Sequence, residues 1–333
     1  MKKAADFADI NGARIFVAGS TGLAGSSIVR AILQHYPDAR ITGSRYIHTS
    51  PFIQDARIDY AEGDLRAADD CHAMVRGCAC AVLAAASTGG SRQLTTEPWK
   101  QVNDNLQIYA NLLEACCCEG VKKVICVGSA TLYQQAEGSI KEDELDLNCD
   151  PPPAYMGIGW VSRYIEKLCA FWHNQTDTNI ITTRTSNIYG PYAKFSPATS
   201  NFIPALIRKA VDRLDPFEVW GSPDVTRDVI FADDFGSAVV ALLTLEESSF
   251  NVFNIGSGEP VTVGEVVNAA LKAAGHTPQS LTYDAAKPTT IKARVLDCSK
   301  IARLAGWKPS CCLETGIAET TKWWIENKEW WQK

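Results

Sequence analysis

The stretch ARIFVAGSTGLAG, residues 13–25, decides the fold. It opens with a short apolar run that ends in glycine, which is typical of a buried strand. Apolar residues then recur at helical spacing through 23–36. Glycines between a strand and a helix let the backbone turn tightly and approach a ligand, and the helix N-terminus adds N–H groups and a positive dipole end. We therefore predict a dinucleotide-binding loop that contains Gly19, Ser20, Thr21, Gly22, Leu23 and Gly25.

Strands and helices alternate along the first half of the chain. Short apolar runs predict three more strands, at 40–44, 79–86 and 122–128. A helical pattern covers 99–118, and a strand-then-helix pattern returns at 229–246. Such alternation is typical of a parallel sheet with helices on both faces. The predicted fold class is α/β, a Rossmann-type doubly wound parallel sheet with a smaller C-terminal α/β substrate domain.

The pattern changes after about residue 187, where segments shorten and proline and glycine become frequent. These residues punctuate short elements, so the change indicates a second unit. A chain of 333 residues is long enough for two domains. We assign 1–186 plus 229–248 to the dinucleotide-binding Rossmann domain, and 187–228 plus 249–333 to the second domain.

Charge and hydropathy exclude several classes of partner. The chain has 32 basic and 38 acidic residues, a formal net charge of −6, and no basic block. We therefore expect neither nucleic acid nor a membrane surface as a partner. No apolar run approaches the ~20 residues that a bilayer span needs, and the N-terminal stretch lacks a signal-peptide core.

Twelve cysteines are present, and their placement argues against both metal and disulfides. Several are adjacent to one another, as in 116–118 and 311–312, and no CxxC pair provides a zinc spacing. Thiols of this kind are typical of small buried residues in a reducing compartment. We expect a cytoplasmic protein without a metal site.

The second predicted strand ends in Gly43-Ser44-Arg45, with no acidic residue. An NAD site usually places Asp or Glu there to bind the ribose hydroxyls. Arg45 instead offers a charge-assisted contact to a 2′-phosphate, so the sequence favours NADP(H) over NAD(H). The alternative is that Arg45 is a solvated surface residue.

Several motifs occur in the order typical of one family. They are VAGSTGLAGSSIVRAIL (17–33), LAAASTGG (83–90), VGSATLY (127–133), TSNIYGPYAKF (185–195), TRDVIFADD (226–234) and FNIGSGEPVT (253–262). The chain resembles the extended short-chain dehydrogenase/reductases, the NAD(P)-dependent epimerase/dehydratase family acting on nucleotide-diphosphate sugars. It is most similar to the GDP-fucose synthase branch. The resemblance implies that the second domain binds the nucleotide-sugar.

The resemblance also implies roles for individual residues. Ser129 matches the serine that hydrogen-bonds the reacting C4 oxygen of the sugar, and Ser162 is placed to reach the nicotinamide ribose. The remaining cofactor-binding residues, beyond the loop and Arg45, are Asp64 and Leu65 at the adenine, Ala84, Ala85 and Ala86 near the ribose, and Asn105. The substrate-binding residues are Asn187, Asn201, Arg227 and Arg294, of which the arginines suit a diphosphate because guanidinium offers a planar fork of donors.

The sequence departs from the family at its Tyr-x-x-x-Lys pair. In the gapless register, counted back from Asn187, Ile158 takes the tyrosine position and Ser162 the lysine position. A second register aligns Tyr155 with the tyrosine but puts Gly159 at the lysine position and needs three extra residues inside a helix. We favour the gapless register, because such an insertion rotates the downstream helix face by about 300°.

Two functions remain open. In the first, the chain is a nucleotide-sugar epimerase or reductase in which Tyr155, together with Ser129, carries the proton transfer. In the second, it is a catalytically silent protein that binds NAD(P) and a nucleotide-sugar. The resemblance further implies a homodimer formed through the helices at 99–118 and 156–172.

Overall fold

The computed structural model describes residues 10–46, 49–88, 97–136, 138–197, 199–246, 249–284 and 294–329. Its central sheet has seven strands: β1 Arg14–Ala18, β2 Arg40–Arg45, β3 Ile58–Glu62, β4 Cys80–Leu83, β5 Lys123–Ser129, β6 Asn179–Thr185 and β7 Asn251–Ile255. They lie in the order β7-β6-β5-β4-β1-β2-β3, and all neighbouring pairs are parallel. The strand order reverses between β1 and β4, and ligands of doubly wound sheets bind at such a point.

The described helices are α1 Leu23–His35, α2 Ala68–Val75, α3 Pro98–Cys118, α4 Met156–Gln175, α5 Phe202–Val211, α6 Ala232–Thr244, α7 Val263–Ala274, α8 Ser299–Ala305 and α9 Leu313–Asn327. Helices α1 and α6 cover one face of the sheet through side chains such as Ile28 and Phe235. Helices α2, α3 and α4 cover the other face through side chains such as Leu112 and Ile165. The two-sided cover confirms the predicted doubly wound α/β fold. None of the described helices combines the length and apolar character needed to cross a bilayer.

A smaller unit with its own core is built from α5, α7 and α9. Its core includes Phe195, which stacks on Trp324 at 4.3 Å between ring centroids. Short strand pairs complete this side of the molecule: Phe217–Trp220 with Leu281–Asp284, Asn187–Tyr189 with Val229–Phe231, Thr226–Arg227 with Val261–Thr262, and Ser139–Ile140 with Val295–Leu296.

Two contacts join the smaller unit to loops of the sheet. Lys194 Nζ donates to the carbonyl oxygen of Thr88, beyond β4, at 3.1 Å. The Tyr192 ring lies 4.9 Å from that of Phe52, beyond β2, between centroids. Leu23, at the start of α1, packs against the core of the smaller unit as well. The two units therefore meet above the glycine loop.

One segment lies elsewhere than the domain assignment placed it. Residues 249–333 were assigned to the second domain, but β7 is the seventh strand of the Rossmann sheet and pairs with β6. Ile301 and Trp307 also belong to the core beneath α1. The five residues of β7 include two asparagines, so only pairing with β6 makes them a core strand. The predicted domain limits at 1, 248 and 333 lie outside the described residues.

Candidate functional site

The glycine loop joins β1 to α1 in a conformation that requires its glycines. Gly19 has φ +73°, and a Cβ there would lie 2.7 Å from the Ala85 Cα, so the loops after β1 and β4 touch. A Cβ on Gly25 would lie 2.0 Å from the Gly19 carbonyl oxygen. Gly22, by contrast, is exposed at the start of α1 and has no close neighbour on its Cβ side. This leaves an open cradle of backbone at the helix N-terminus, which fits the pyrophosphate of a dinucleotide.

The end of β2 holds the same loop from the other side. Gly19 N–H donates to Ser44 Oγ at 2.8 Å, and the Ser20 hydroxyl donates to the Ser44 carbonyl oxygen at 2.8 Å. The Ser20 side chain is therefore buried, and its hydroxyl is already hydrogen-bonded within the protein. Only the Ser20 backbone is available for the predicted contact with the cofactor. Thr21 is half-buried beside it.

Arg45 is paired with an acid that sequence reasoning missed. Its guanidinium lies 2.6 Å from Glu62 Oε2, and the two side chains are 32% and 45% exposed. Arg45 and Glu62 are direct partners in the β2–β3 register. The strand β3 was not predicted, so the pairing had no signal in the sequence. Arg45 is thus a partly neutralised cation at the adenosine end of the site.

The predicted adenine residues lie just beyond β3. The Asp64 carboxylate accepts from Arg66 Nε and Nη2 at 3.0 and 2.7 Å, and these bonds lower the pKa of Asp64. Leu65 is buried in the core on the α2 side of the sheet. Asp64 therefore meets any ligand as a carboxylate already bound to arginine.

The loop after β4 is held in place by Asn105. Ala85 is buried against Gly19, whereas Ala84 is half-buried and Ala86 exposed. Asn105 accepts from Ser87 N–H at 2.8 Å and donates to the carbonyl oxygens of Ser87 and Gln101 at 3.0 and 2.7 Å. Both amide N–H groups of Asn105 are therefore used inside the protein, where they fix the loop after β4.

Ser129 ends β5 and begins a single helical turn, Ala130–Leu132. Its Oγ accepts from Thr131 N–H at 3.2 Å and from the Thr131 hydroxyl at 3.1 Å. The Ser129 hydroxyl proton remains available to donate to a ligand. The turn is also approached by α4, since a Cβ on Gly159 would lie 2.9 Å from the Thr131 carbonyl oxygen.

The α4 residues that the gapless register aligns with the Tyr-x-x-x-Lys pair make local contacts. The Ser162 hydroxyl donates to the Ile158 carbonyl oxygen at 2.8 Å, and the Ile158 side chain packs against the core. Arg163, the nearest cation in the sequence, is 2% exposed and donates to the carbonyl oxygens of Leu132 and Cys149 at 2.8 and 2.7 Å. Arg163 therefore braces the turn after Ser129 through its bond to the Leu132 carbonyl oxygen.

The structure brings Tyr155, Arg227 and Arg294 together. The Arg294 guanidinium carbon lies 5.8 Å from the centroid of the Tyr155 ring. Burial lowers the pKa of Arg227 and of Arg294, and both guanidinium groups lie within electrostatic reach of Tyr155. Within the described ranges, the Tyr155 hydroxyl has no hydrogen-bond partner. Two desolvated cations and a phenol at one place suit a dianionic ligand.

The two predicted asparagines lie nearby in chain order but differ in their contacts. Asn187 is exposed, and its Nδ2 donates to the Asp228 carbonyl oxygen at 3.1 Å. Asn201 is exposed at the start of α5, and its side chain makes no capping hydrogen bond. No prediction from the sequence covered Asp228 itself, which is 2% exposed and bonded to Asn187. Its only signal was its position directly after Arg227.

All twelve cysteines lie in the described residues, and none of them forms a disulfide bond. In the described part of the chain, no three His, Cys, Asp or Glu side chains are grouped in a way that could hold a metal ion.

The chain is similar to known proteins of one family. The model of the NAD dependent epimerase/dehydratase family matches residues 15–256. The probable GDP-L-fucose synthase 1 of Oryza sativa is 30% identical over 332 residues, covering 97% of this chain and 95% of that protein. The GDP-L-fucose synthase of Escherichia coli is 26% identical, with coverage of 95% and 98%.

Solved structures show the same fold. A UDP-glucose 4-epimerase from Thermotoga maritima superposes with a TM-score of 0.83 at 18% identity, covering 95% of this chain and 99% of that one. A GDP-6-OMe-4-keto-L-xylo-heptose reductase from C. jejuni gives 0.82 at 21% identity, with coverage of 96% and 99%. The glycine cradle, the sheet order and the matched length lead to one conclusion: this chain belongs to the NAD dependent epimerase/dehydratase family, whose members include nucleotide-sugar epimerases and reductases.

Proposed function

We propose that this protein is a nucleotide-diphosphate-sugar epimerase or reductase that uses bound NADP(H) with a non-standard catalytic site. The observation that carries the proposal is the cluster of Tyr155, Arg227 and Arg294. The two arginines supply cations for a diphosphate, and Tyr155 supplies a phenol. The Tyr155 hydroxyl has no hydrogen-bond partner in the described ranges. The named relatives make GDP-linked sugars the first substrates to test.

The proton-transfer role goes to Tyr155 because the other positions lack the chemistry. An isoleucine side chain cannot exchange a proton, and the Ser162 hydroxyl brings no charge to the nicotinamide ribose. Tyr155 immediately precedes α4 and lies three residues before Ile158, which corresponds to about 4.5 Å along the helix axis. Ser129 completes the site as the donor to the sugar C4 oxygen.

The preference for NADP(H) rests on the residues at the end of β2. Ser44 is committed to the glycine loop, and Arg45 is the cation that follows it. A 2′-phosphate offers Arg45 two negative charges in place of the single carboxylate of Glu62. A preference for NAD(H) is the competing hypothesis, because Glu62 neutralises part of the charge of Arg45.

The experiment follows the nicotinamide absorbance as GDP-sugars are added to the protein with NADP⁺ or NADPH. We expect a change in oxidation state, or an isomerised sugar in the product analysis, with wild-type protein. Tyr155→Phe should abolish turnover and keep both ligands bound. Tyr164→Phe changes an exposed tyrosine about two and a half turns further along, on α4; it is the matched control and should keep full activity.

The competing function is a silent binder of NAD(P) and a nucleotide-sugar. It is favoured by the absence of a lysine at positions 159 and 162. Tight binding of both ligands without turnover, in the wild type and in Tyr155→Phe alike, would establish it in place of the enzyme. Full activity in Tyr155→Phe would instead move the base to another residue.

We also propose that the protein forms a homodimer through α3 and α4, which pack side by side. Large apolar side chains recur along their outer faces at spacings of four and seven residues and are 37–60% exposed: Trp99, Leu106, Met156, Trp160, Tyr164 and Phe171. A stripe at this spacing suits a four-helix contact with a second copy. Phe171→Glu should give a monomer by light scattering, whereas Ile325→Glu, equally exposed on α9, should not.

A further inference from the structure

The least exposed acid beside the arginine cluster is Asp228, between Arg227 and the strand Val229–Phe231. Its carboxylate accepts hydrogen bonds from Ser257 N–H at 2.8 Å, Ser257 Oγ at 3.0 Å, Gly258 N–H at 3.3 Å and Leu296 N–H at 3.0 Å. Burial raises the pKa of Asp228, and these bonds oppose the rise. In the described part of the chain the Asp228 carboxylate forms no ion pair. Three backbone N–H groups and the Ser257 hydroxyl stabilise it instead.

The backbone of Asp228 forms hydrogen bonds to two of the predicted substrate residues. Asp228 N–H donates to the Arg294 carbonyl oxygen at 3.0 Å. Its carbonyl oxygen accepts from Asn187 N–H at 3.4 Å and from Asn187 Nδ2 at 3.1 Å. Arg227 precedes it in the chain. Three of the four predicted substrate residues are therefore bonded or covalently joined to one buried residue.

These three residues come from distant parts of the sequence. Asn187 follows β6, Arg227 lies in a short strand paired with Val261–Thr262, and Arg294 precedes the strand Val295–Leu296. The carboxylate of Asp228 fixes Leu296, two residues beyond Arg294, and the loop Ser257–Gly258. The loop comes so close that a Cβ on Gly256 would lie 2.5 Å from a carboxylate oxygen.

We propose that Asp228 is a positioning residue that holds Arg227, Arg294 and Asn187 in the arrangement that receives the diphosphate of the nucleotide-sugar. The inference rests on the proposed function for the identity of the ligand. Asp228 does not touch the ligand itself. An acceptor-only carboxylate is required there because all four partners are donors, and an amide at that position turns an N–H₂ group towards two of them.

The test compares Asp228→Asn with a matched control. Asp234 is also buried, and its carboxylate accepts from Ser310 N–H at 3.1 Å, Ser310 Oγ at 2.8 Å and Cys311 N–H at 2.9 Å. Asp234→Asn is thus the same chemical change at a carboxylate that fixes a loop elsewhere. Binding of GDP, of UDP and of NADPH is measured by calorimetry for the wild type and both variants, with melting temperatures recorded alongside.

We expect Asp228→Asn to weaken GDP or UDP binding by roughly tenfold or more. NADPH affinity should stay within about twofold, and Asp234→Asn should leave all affinities unchanged at a similar loss of thermal stability. Unchanged nucleotide affinity in Asp228→Asn overturns the proposal, as does an equal loss in Asp234→Asn.

A second readout does not depend on the ligand. Phenylglyoxal labels accessible arginines, and peptide mass spectrometry gives the labelling rate of each one. Asp228→Asn should speed labelling of Arg227 and Arg294 severalfold, and Asp234→Asn should not. If the wild type binds neither GDP nor UDP, the proposed function fails, and these rates alone decide the positioning role: unchanged rates in Asp228→Asn refute it.

Discussion

The glycine loop and the start of α4 stand on opposite sides of β4, and they differ in what their residues are required to do. In the loop, a Cβ on Gly19 would lie 2.7 Å from the Ala85 Cα and one on Gly25 would lie 2.0 Å from the Gly19 carbonyl oxygen, so neither position admits a side chain. On α4, Ile158 and Ser162 make one local hydrogen bond and a core contact that many residues could replace. The glycine-loop backbone is thus tightly constrained by its packing, whereas the two α4 positions that the gapless register aligns with the Tyr-x-x-x-Lys pair are not. Binding and reaction are separable properties of this fold, and each can be altered by itself.

The strongest test of the comparison introduces the Tyr-x-x-x-Lys pair on α4 in the gapless register. The double variant Ile158→Tyr, Ser162→Lys should gain roughly 10²–10⁴-fold in turnover of a GDP-sugar, the range that a positioned acid–base group contributes. Nicotinamide absorbance measures the gain. The control places the same two residues at the same spacing on the exposed face of α9, as Lys322→Tyr with Glu326→Lys. An equal gain in the control, or none in either protein, would refute the gapless register.

The next test breaks the loop. Gly25→Ala brings a methyl group against the Gly19 carbonyl oxygen, so it should lower the free energy of unfolding by about 3 kcal/mol or more and abolish NADPH binding. Denaturant titration and NADPH fluorescence measure the two effects. Gly22→Ala, whose Cβ would meet its nearest neighbour at 3.5 Å, should keep the wild-type stability. A stable, cofactor-binding Gly25→Ala protein would contradict the described packing.

A third test addresses the substrate end. Arg227→Ala should weaken GDP binding by about 1.5–3 kcal/mol, the usual contribution of a hydrogen bond to a charged group. NADPH binding should not change, because the arginine lies in the smaller unit. Arg40→Ala, at the exposed first residue of β2, is the control and should bind both ligands like the wild type. Equal GDP affinity in wild type and Arg227→Ala would remove the arginine from the site.

The smallest expected effect lies in the Arg45–Glu62 pair. Glu62→Gln releases Arg45 from a partly exposed ion pair worth up to about 1 kcal/mol, so NADPH affinity should rise by no more than about fivefold. Arg45→Ala should lower NADPH affinity and leave NADH affinity unchanged. Competitive titration of the two cofactors measures the ratio. If Arg45→Ala leaves that ratio as in the wild type, the preference for NADP(H) has another source.

Local patterns predicted much of the fold. β1, α1, α3 and β5 follow from apolar runs and helical spacing within a single segment, and their predicted ends differ from the structure by about one residue. β3, β6 and β7 were missed because their sequences are partly polar. Four residues of β6 are Thr or Arg, yet every residue in it is buried, since the neighbouring strands and helices cover both faces.

The site was predictable where it depends on a motif and unpredictable where it depends on pairing. The glycine loop and the arginines proposed for the diphosphate each lie in a contiguous motif, although their roles stay predictions. The partner of Arg45 depends on the register of β2 with β3, and the part played by Asp228 depends on loops brought together from 187, 257 and 296. No spacing in the sequence encodes such contacts. The bonds of Asn105 to Ser87 belong to the same class.

The place of β7 in the sheet has a consequence for synthesis. β6 pairs with β5 on one side and with β7 on the other. In the sequence, β6 and β7 are separated by residues 186–250, which include the first segment of the smaller unit. While residues 186–250 leave the ribosome, β6 is an edge strand with an open row of backbone donors and acceptors. Open edges of buried strands invite pairing with other chains. The nascent protein is therefore most exposed to aggregation in this interval, and a chain cut before residue 251 retains that open edge permanently.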